Sequence, residues 1–422
     1  MLRGLLRASH LATFEQLPSL MARHAAGAGL DRARFYVADL REEVLREATG
    51  EGIDAGAGGQ ELRIDATLAG RVFQSMRALS ATVDGRRQHW LPILDGAERL
   101  GVLLVETGAG PEAGTHAGAS ADAHADEAGD EAGDDAGDEA MRDLASLMGM
   151  LLVSKRTHSD SYARLTRLCP MSVSAEMQWT LMPPRTFANH RVTIAAAMEP
   201  AYATAGDAFD YAIAGDTAHL AIFDAMGHDT AAGLTANLAL ATCRNQRREG
   251  ADPTEAARAI ETMLIEEFAR DRYTTGILAD LDLATGLLTW LNCGHHPPVL
   301  IRGGRWTTTL TCAPTHPLGT GLGLPATLCR EQLEPGDRLL LYTDGITEAR
   351  DADGHEFGRD RFVDFIIRHQ ADELPVPETL RRLVRAVLEH HDGKLNDDAS
   401  VLLCEWHGPE RSTDVADAMD MD

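Results

Sequence analysis

Four aspartates have the setting of catalytic or metal-ligating groups. Asp207 sits in Ala205-Gly-Asp-Ala-Phe-Asp-Tyr211 and Asp224 in Phe223-Asp-Ala-Met-Gly-His228. Asp344 sits in Tyr342-Thr-Asp-Gly345 and Asp397 in Asn396-Asp-Asp-Ala-Ser400. Apolar residues run up to Asp224 and Asp344 and follow Asp397 and Asp398. Such neighbours put a carboxylate at the rim of a core, where it is costly unless paired or bound to a cation. With no matching Lys or Arg beside them, the four suit hard, oxygen-ligated divalent ions such as Mg²⁺ or Mn²⁺, and not a His/Cys zinc site. Spacing alone leaves ordinary Asp-Gly turn chemistry open as well.

The surrounding elements must deliver those residues. Apolar patterning predicts strands over Val192–Met198, His219–Phe223, Thr275–Asp282, Leu287–Leu291, Pro298–Ile301, Arg338–Tyr342 and Ser400–Glu405. It predicts helices over 229–246, 253–269 and 378–391, the second opening with Asp252 as N-cap and Pro253 as first helical residue. Strands grouped in hairpins, then helices, argue α+β with antiparallel sheets. Ahead of this segment, residues 1–106 read as an amphipathic helix, a strand at Arg34–Leu40, a helix over 67–79, a strand at Trp90–Leu94 and a buried strand at Gly101–Glu106. Residues 141–170 return to helical spacing through Leu144, Leu147, Met148, Leu151 and Leu152, which suggests a linker helix able to pair with its twin in a homodimer.

The chain has 422 residues and a formal net charge of −26. Segment 107–140 carries ten acids and no Lys or Arg, and the tail 408–422 carries five more. Lacking large apolar side chains, 107–140 is expected to be a disordered insertion. The acidic balance argues against nucleic acid and anionic membranes as partners. No apolar run has the length of a membrane span. Six scattered cysteines without a C-x-x-C suit a reduced cytoplasm better than a disulfide framework.

Residues 171–407 resemble the SpoIIE-like branch of the metal-dependent Ser/Thr protein phosphatases, the type 2C superfamily. The landmarks occur in order: Leu181-Met-Pro-Pro184, Pro200 with Ala205-Gly-Asp-Ala-Phe-Asp210, Asp224-Ala-Met-Gly-His-Asp229 and Thr274-Thr-Gly276. Asn292-Cys-Gly-His-His-Pro-Pro298, Leu341-Tyr-Thr-Asp-Gly-Ile-Thr-Glu348 and Asp397-Asp-Ala-Ser400 complete them. The resemblance implies an antiparallel β-sandwich flanked by helices and two Mn²⁺ or Mg²⁺ ions. Asp224 would bridge the ions, with the Ala225 carbonyl as a further ligand. Asp344 and Asp397 would complete one ion and Asp207 would hold the other, with Asp210 and Asp398 as weaker candidates. Water activated by the two metals would hydrolyse phosphoserine or phosphothreonine. The substrate would be a phosphorylated anti-sigma-factor antagonist, a STAS-domain protein, in bacterial signalling.

One departure from the family pattern is Asp229 in place of glycine, which suggests a helix N-cap or an added carboxylate near the metals. That departure keeps open a catalytically weak or inactive phosphatase-fold scaffold; a metal-dependent phosphodiesterase fits the metals but not the motif order. His295 and His296 are expected to fix a turn between sheets, and Cys293, Cys404, Trp290 and Phe223 to be core; a place near the metals for His228 is the less favoured of its two readings. Residues 1–106 resemble, less closely, a small α/β GAF sensor domain, with a hairpin turn at Asp95-Gly96.

Overall fold

The computed structural model describes residues 1–107, 135–199, 202–203, 205–227, 229–371, 374–391 and 397–409. The chain divides into two compact units, Met1–Leu168 and Cys169–Asp422.

The first unit opens with α1 (Leu2–Ser9) and α2 (Leu17–Ala26), then β1 (Arg32–Ala38), β2 (Val44–Glu47) and β3 (Glu61–Arg63). It continues with α3 (Leu68–Ser75), β4 (Leu79–Val83), β5 (Arg86–Asp95) and β6 (Glu98–Thr107), and ends with α4 (Asp135–Arg156) and α5 (Asp160–Leu165). The strands form one antiparallel sheet in the order β3-β2-β1-β6-β5-β4. Both of its faces are covered. Phe35, Val37, Leu103 and Val105 belong to a core with Leu5, Met21 and Leu144, whereas Tyr36, Val102 and Leu104 meet Val72 and Phe73 on the other side. Burial on both faces explains why Gly101–Val105 reads as an unbroken apolar run rather than an alternating one. The β5–β6 turn falls one residue later than expected, at Gly96-Ala97: Asp95 is still paired with Glu98, and Gly96 takes φ +58°.

Three expectations change here. The helix read as a linker over 141–170 breaks at Arg156, and α5 restarts under a Ser159 cap whose side chain accepts from the Tyr162 N–H. Its apolar stripe, Met141, Leu144, Met148, Leu151 and Leu152, is buried in the first unit's own core, so that stripe is not free for a partner helix. Gly149 lets α4 cross β5 closely, since a Cβ there would stand 2.1 Å from the Leu94 carbonyl oxygen. Within the segment expected to be disordered, residues 135–140 are already the first turns of α4; residues 108–134 lie outside the described residues, as do 410–422 of the acidic tail.

The second unit begins with α6 (Val173–Leu181), β7 (Thr186–Ala188), β8 (Val192–Glu199), β9 (Asp207–Ala214) and β10 (Thr217–Ala225). Then come α7 (Thr230–Arg248), α8 (Pro253–Phe268), β11 (Thr274–Asp282), β12 (Leu287–Cys293), β13 (Val299–Arg302), β14 (Trp306–Thr309) and β15 (Leu328–Gln332). The unit closes with β16 (Arg338–Tyr342), α9 (Asp344–Thr347), α10 (Arg359–Ala371), α11 (Val376–His390) and β17 (Ala399–Trp406). Two antiparallel sheets result, β15-β12-β11-β10-β9 and β14-β13-β16-β17-β8-β7.

Alternation along the strands sorts the side chains. Ile194, Leu339, Leu341, Leu402 and Cys404 join the core that also holds Ile222, Phe223 and Trp290 of the other sheet. Ala195, Leu340, Tyr342, Val401 and Leu403 point the opposite way, against Phe362 of α10 and Leu380 and Leu383 of α11. Helices α7 and α8 cover the five-stranded sheet through Ala236, Leu240, Ile260 and Leu264. The sandwich flanked by helices is the architecture expected. Asp252 caps α8 in a reciprocal capping box with Glu255, as its sequence suggests.

Candidate metal centre

The register of the β9–β10 hairpin sets Asp207 directly opposite Asp224, and that of β10–β11 sets Asp224 opposite Thr275. Directly opposed residues share a sheet face, so the two carboxylates project together. The other sheet supplies the rest. Asp344 begins α9 just after β16, and Asp397 and Asp398 precede β17, the strand paired with β16. Thr343 connects the two sheets: its Oγ1 donates to Asp207 Oδ2 at 2.7 Å and accepts from the Ser400 N–H at 2.9 Å. Its own N–H donates to the Ser400 carbonyl at 3.0 Å. Asp398 accepts from the Gly206 N–H, and Gln178 of α6 donates to the Asp207 carbonyl.

Two glycines permit this convergence. A Cβ on Gly345 would stand 1.8 Å from the Asp398 carbonyl oxygen, and one on Gly206 would stand 2.4 Å from that of Gly227. Both approaches are too close for any side chain, so the loops carrying the acids can meet only with glycine at these points.

The electrostatics of the cluster are one-sided. Burial, then the charges of Asp224 and Asp398, push the Asp207 carboxyl well above its ordinary range. Burial, then Asp344, Asp397 and Asp398, push Asp224 up to about 7. Asp344 is raised by burial and by Asp397 and Glu348, with His296 opposing. Asp207, Asp224 and Asp344 have no Lys or Arg partner among the described residues. A donor set of converging carboxylates with no cation of its own fits hard divalent ions. The residues that could hold such ions are Asp207, Asp224 and Asp344, with Asp397 and Asp398 alongside.

The remaining expected residues fall as follows. Asp210 is not in the cluster. It is buried and paired with Arg244 and Arg247 of α7, each at 2.6 Å, so its carboxylate ties that helix to the sheet. Asp229 caps α7, accepting from the Ala232 N–H at 2.8 Å. It also pairs with Arg272, whose Nη1 reaches the Met226 carbonyl. His228 lies outside the described residues.

His295 does fix a junction between sheets, bonding Thr275 Oγ1 through Nδ1 at 2.8 Å and the Tyr342 carbonyl through Nε2 at 3.0 Å. A carbonyl only accepts, so Nε2 carries the hydrogen. Burial and the neighbouring His296 hold the ring neutral, pushing it down to about 3. His296 departs from the turn-fixing role expected of it: its ligand atom lies within 4.8 Å of those of Asp344 and Glu348, and its ring stacks on Tyr342. Cys293, Cys404, Trp290 and Phe223 are buried as expected.

Thr343, Ser400 and Gln178 had no role assigned from the sequence. Thr343 stands beside Asp344 in the most specific motif, so its position was visible although its bonds were not.

Residues 214–407 match the family model described as Stage II sporulation protein E (SpoIIE). The chain is 21% identical over 233 residues to the phosphoserine phosphatase RsbU of Bacillus subtilis (strain 168), covering 55% of this chain and 69% of that protein. It is 28% identical over 131 residues to the phosphoserine phosphatase RsbP of the same organism, covering 30% of this chain and 32% of that protein. The SiaA-PP2C domain of Pseudomonas aeruginosa superposes with a TM-score of 0.47 at 21% identity, covering 55% of this chain and 93% of that one. The RsbU and RsbW domains of a Mycobacterium tuberculosis protein superpose with a TM-score of 0.46 at 23% identity, over 54% and 67%. No helix among the described residues is long and apolar enough to cross a membrane. Over residues 214–407, a little under half of its length, the chain is therefore similar to the SpoIIE family.

Proposed function

We propose that the second unit is a metal-dependent protein serine/threonine phosphatase acting on phosphoserine or phosphothreonine. The observation that carries this reading is the convergence of Asp207, Asp224 and Asp344 from two sheets with no Lys or Arg partner among the described residues. Mn²⁺ or Mg²⁺ would be held by Asp207, Asp224, the Ala225 carbonyl, Asp344 and Asp397. Bound there, two such ions supply Lewis-acid activation of water and neutralise phosphoryl charge. The protein's own part is positioning. Thr343 holds the Asp207 carboxylate, the β9–β10 ladder fixes Asp224 against it, and neutral His295 ties Thr275 beside Asp224 to the end of β16.

The substrate fitting this reading is a phosphorylated STAS-domain antagonist of an anti-sigma factor, as the similarity to RsbU and RsbP suggests. The first unit would be a GAF-like sensor, and the whole would work in the cytoplasm. Asp229, the departure that favoured an inactive scaffold, is accounted for as a helix cap and ion-pair partner. The test is phosphate release from a phosphoserine STAS protein by the full chain with Mn²⁺. Release should stop with EDTA and fall by at least about a hundredfold in Asp224→Asn and Asp344→Asn, as loss of a metal ligand would require. Undiminished release in EDTA or in both variants sinks the proposal.

A further inference from the structure

The scattered cysteines were expected to stay unpaired, but Cys312 and Cys329, 17 positions apart in the sequence, form a disulfide with Cα atoms 5.9 Å apart. Both residues are partly exposed. The other four cysteines are free. Of these, Cys243, Cys293 and Cys404 are buried, and burial pushes their thiols up to about 12. The pair is therefore the accessible thiol chemistry of this unit, apart from the solitary Cys169.

The bridged stretch leaves β14 in one sheet and enters β15, an edge strand of the other. Its middle is anchored beside the metal centre. Leu318 and Thr274 exchange backbone hydrogen bonds of 2.9 and 2.8 Å, and the Thr315 N–H donates to the Asn292 carbonyl at 2.9 Å. Glu261 of α8 accepts from the N–H groups of Gly319 and Gly321 and pairs with His316 Nε2 at 3.2 Å. Thr274 is followed by Thr275, the cross-strand neighbour of Asp224 and hydrogen-bond partner of His295. Past these anchors, Leu322 and Leu324 are exposed at 63% and 54%.

We propose that Cys312 and Cys329 form a reversible redox site whose closure holds the loop 313–328 against the rim of the metal centre. Oxidation joins the two Sγ atoms. The two thiols give up two electrons and two protons to a small-molecule disulfide such as oxidised glutathione, which leaves as two thiols. Reduction by a dithiol runs the same exchange backwards. Closing the loop removes conformational freedom that Glu261, Thr274 and Thr315 must otherwise restrain alone. An accessible surface disulfide, in a domain whose other thiols are reduced, has the character of a sensing bond rather than of a framework. A consequence rests on the phosphatase reading. The fixed loop presents Leu322 and Leu324 to a protein substrate, so reduction raises KM for the phosphoprotein and leaves p-nitrophenyl phosphate turnover unchanged.

The experiment treats the full chain with oxidised glutathione or with dithiothreitol. It maps thiols by alkylation and mass spectrometry, and follows amide hydrogen exchange over 315–324. Cys312 and Cys329 should resist alkylation after glutathione and react after dithiothreitol, and re-oxidation should restore resistance. Loop amides should exchange about tenfold faster when reduced, with β10 and β11 unchanged. Cys312→Ser and Cys329→Ser should exchange at the reduced rate under both conditions. Alkylation of both sulfurs after glutathione, or loop exchange indifferent to reduction, overturns the redox site. Equal KM in both states overturns the consequence for substrate. Absence of phosphatase activity in both states, with thiol and exchange results as expected, overturns the proposed function and leaves the redox site standing.

Discussion

Asp207 and Asp224 face each other across the β9–β10 ladder, and the charge of Asp224 raises the proton affinity of Asp207 in a buried setting where neither has a Lys or Arg partner among the described residues. The metal-free fold therefore carries a local conflict that bound divalent ions would relieve.

A pH dependence follows in metal-free protein. Asp224 titrates near 7 when folded against an ordinary value of 3.8. Between those values the folded state holds the proton and the unfolded state does not. The group's stabilising contribution is thus full below about 3.8 and is lost as pH rises through about 7. The difference is on the order of a few kcal/mol. In EDTA, wild-type Tm measured against Asp224→Asn should fall between pH 4 and 8, and the variant should be the more stable at pH 8. Mn²⁺ should raise the wild-type Tm and leave the variant nearly unmoved. A variant equally stable at both ends of the range would remove the conflict from the account.

Thr343 supports a second prediction. Its hydroxyl is the donor to Asp207 and the acceptor for the Ser400 N–H. Thr343→Val keeps the shape and removes both bonds. Metal affinity, read by isothermal titration with Mn²⁺, should fall roughly ten- to a hundredfold, as when an outer partner of a ligand is removed. Thr343→Ser should restore it. Loss of affinity in the serine variant as well would mean that shape, not the hydroxyl, carries the effect.

Much of this centre was legible in the chain because strand ends and Asp-Gly turns are local signals. What was hidden depended on distant partners. Asp210 looked like its neighbour Asp207, and only the return of α7 brings Arg244 and Arg247 to it. The apolar stripe of α4 has the same spacing whether it meets a twin helix or its own sheet; Leu144 and Met148 are buried against the latter. Asp397 and Asp398 are adjacent in sequence, yet the first is exposed and the second buried, a difference set by the entry of the chain into β17. Strand β9 escaped notice because Asp207–Tyr211 is buried at every position, leaving no alternation to read. A spacing of 17 residues likewise gave no hint that Cys312 would meet Cys329.

Gly345 should tolerate no substitution. In Gly345→Ala the new Cβ would stand 1.8 Å from the Asp398 carbonyl oxygen, so one of the two loops must move. The displaced loop carries Asp344 or the Asp397–Asp398 pair. We expect a loss of roughly 3 kcal/mol or more in urea unfolding and loss of Mn²⁺ binding. Wild-type metal affinity in a folded Gly345→Ala protein would contradict the close approach.

Asp210 separates a structural acid from those of the centre. Its carboxylate is 1% exposed and lies between Arg244 and Arg247. Asp210→Asn leaves two guanidinium groups short of a charge partner at a buried site, which costs about 3–5 kcal/mol when a buried pair is broken outright, and less here because both arginines reach solvent. Tm should therefore fall in EDTA and in Mn²⁺ alike, the opposite of the rise expected for Asp224→Asn in EDTA. The Mn²⁺ titration midpoint should stay at the wild-type value, because Asp210 does not contribute to the cluster around Asp224. A weakened midpoint with unchanged Tm would reverse the assignment and return Asp210 to the metal ligands.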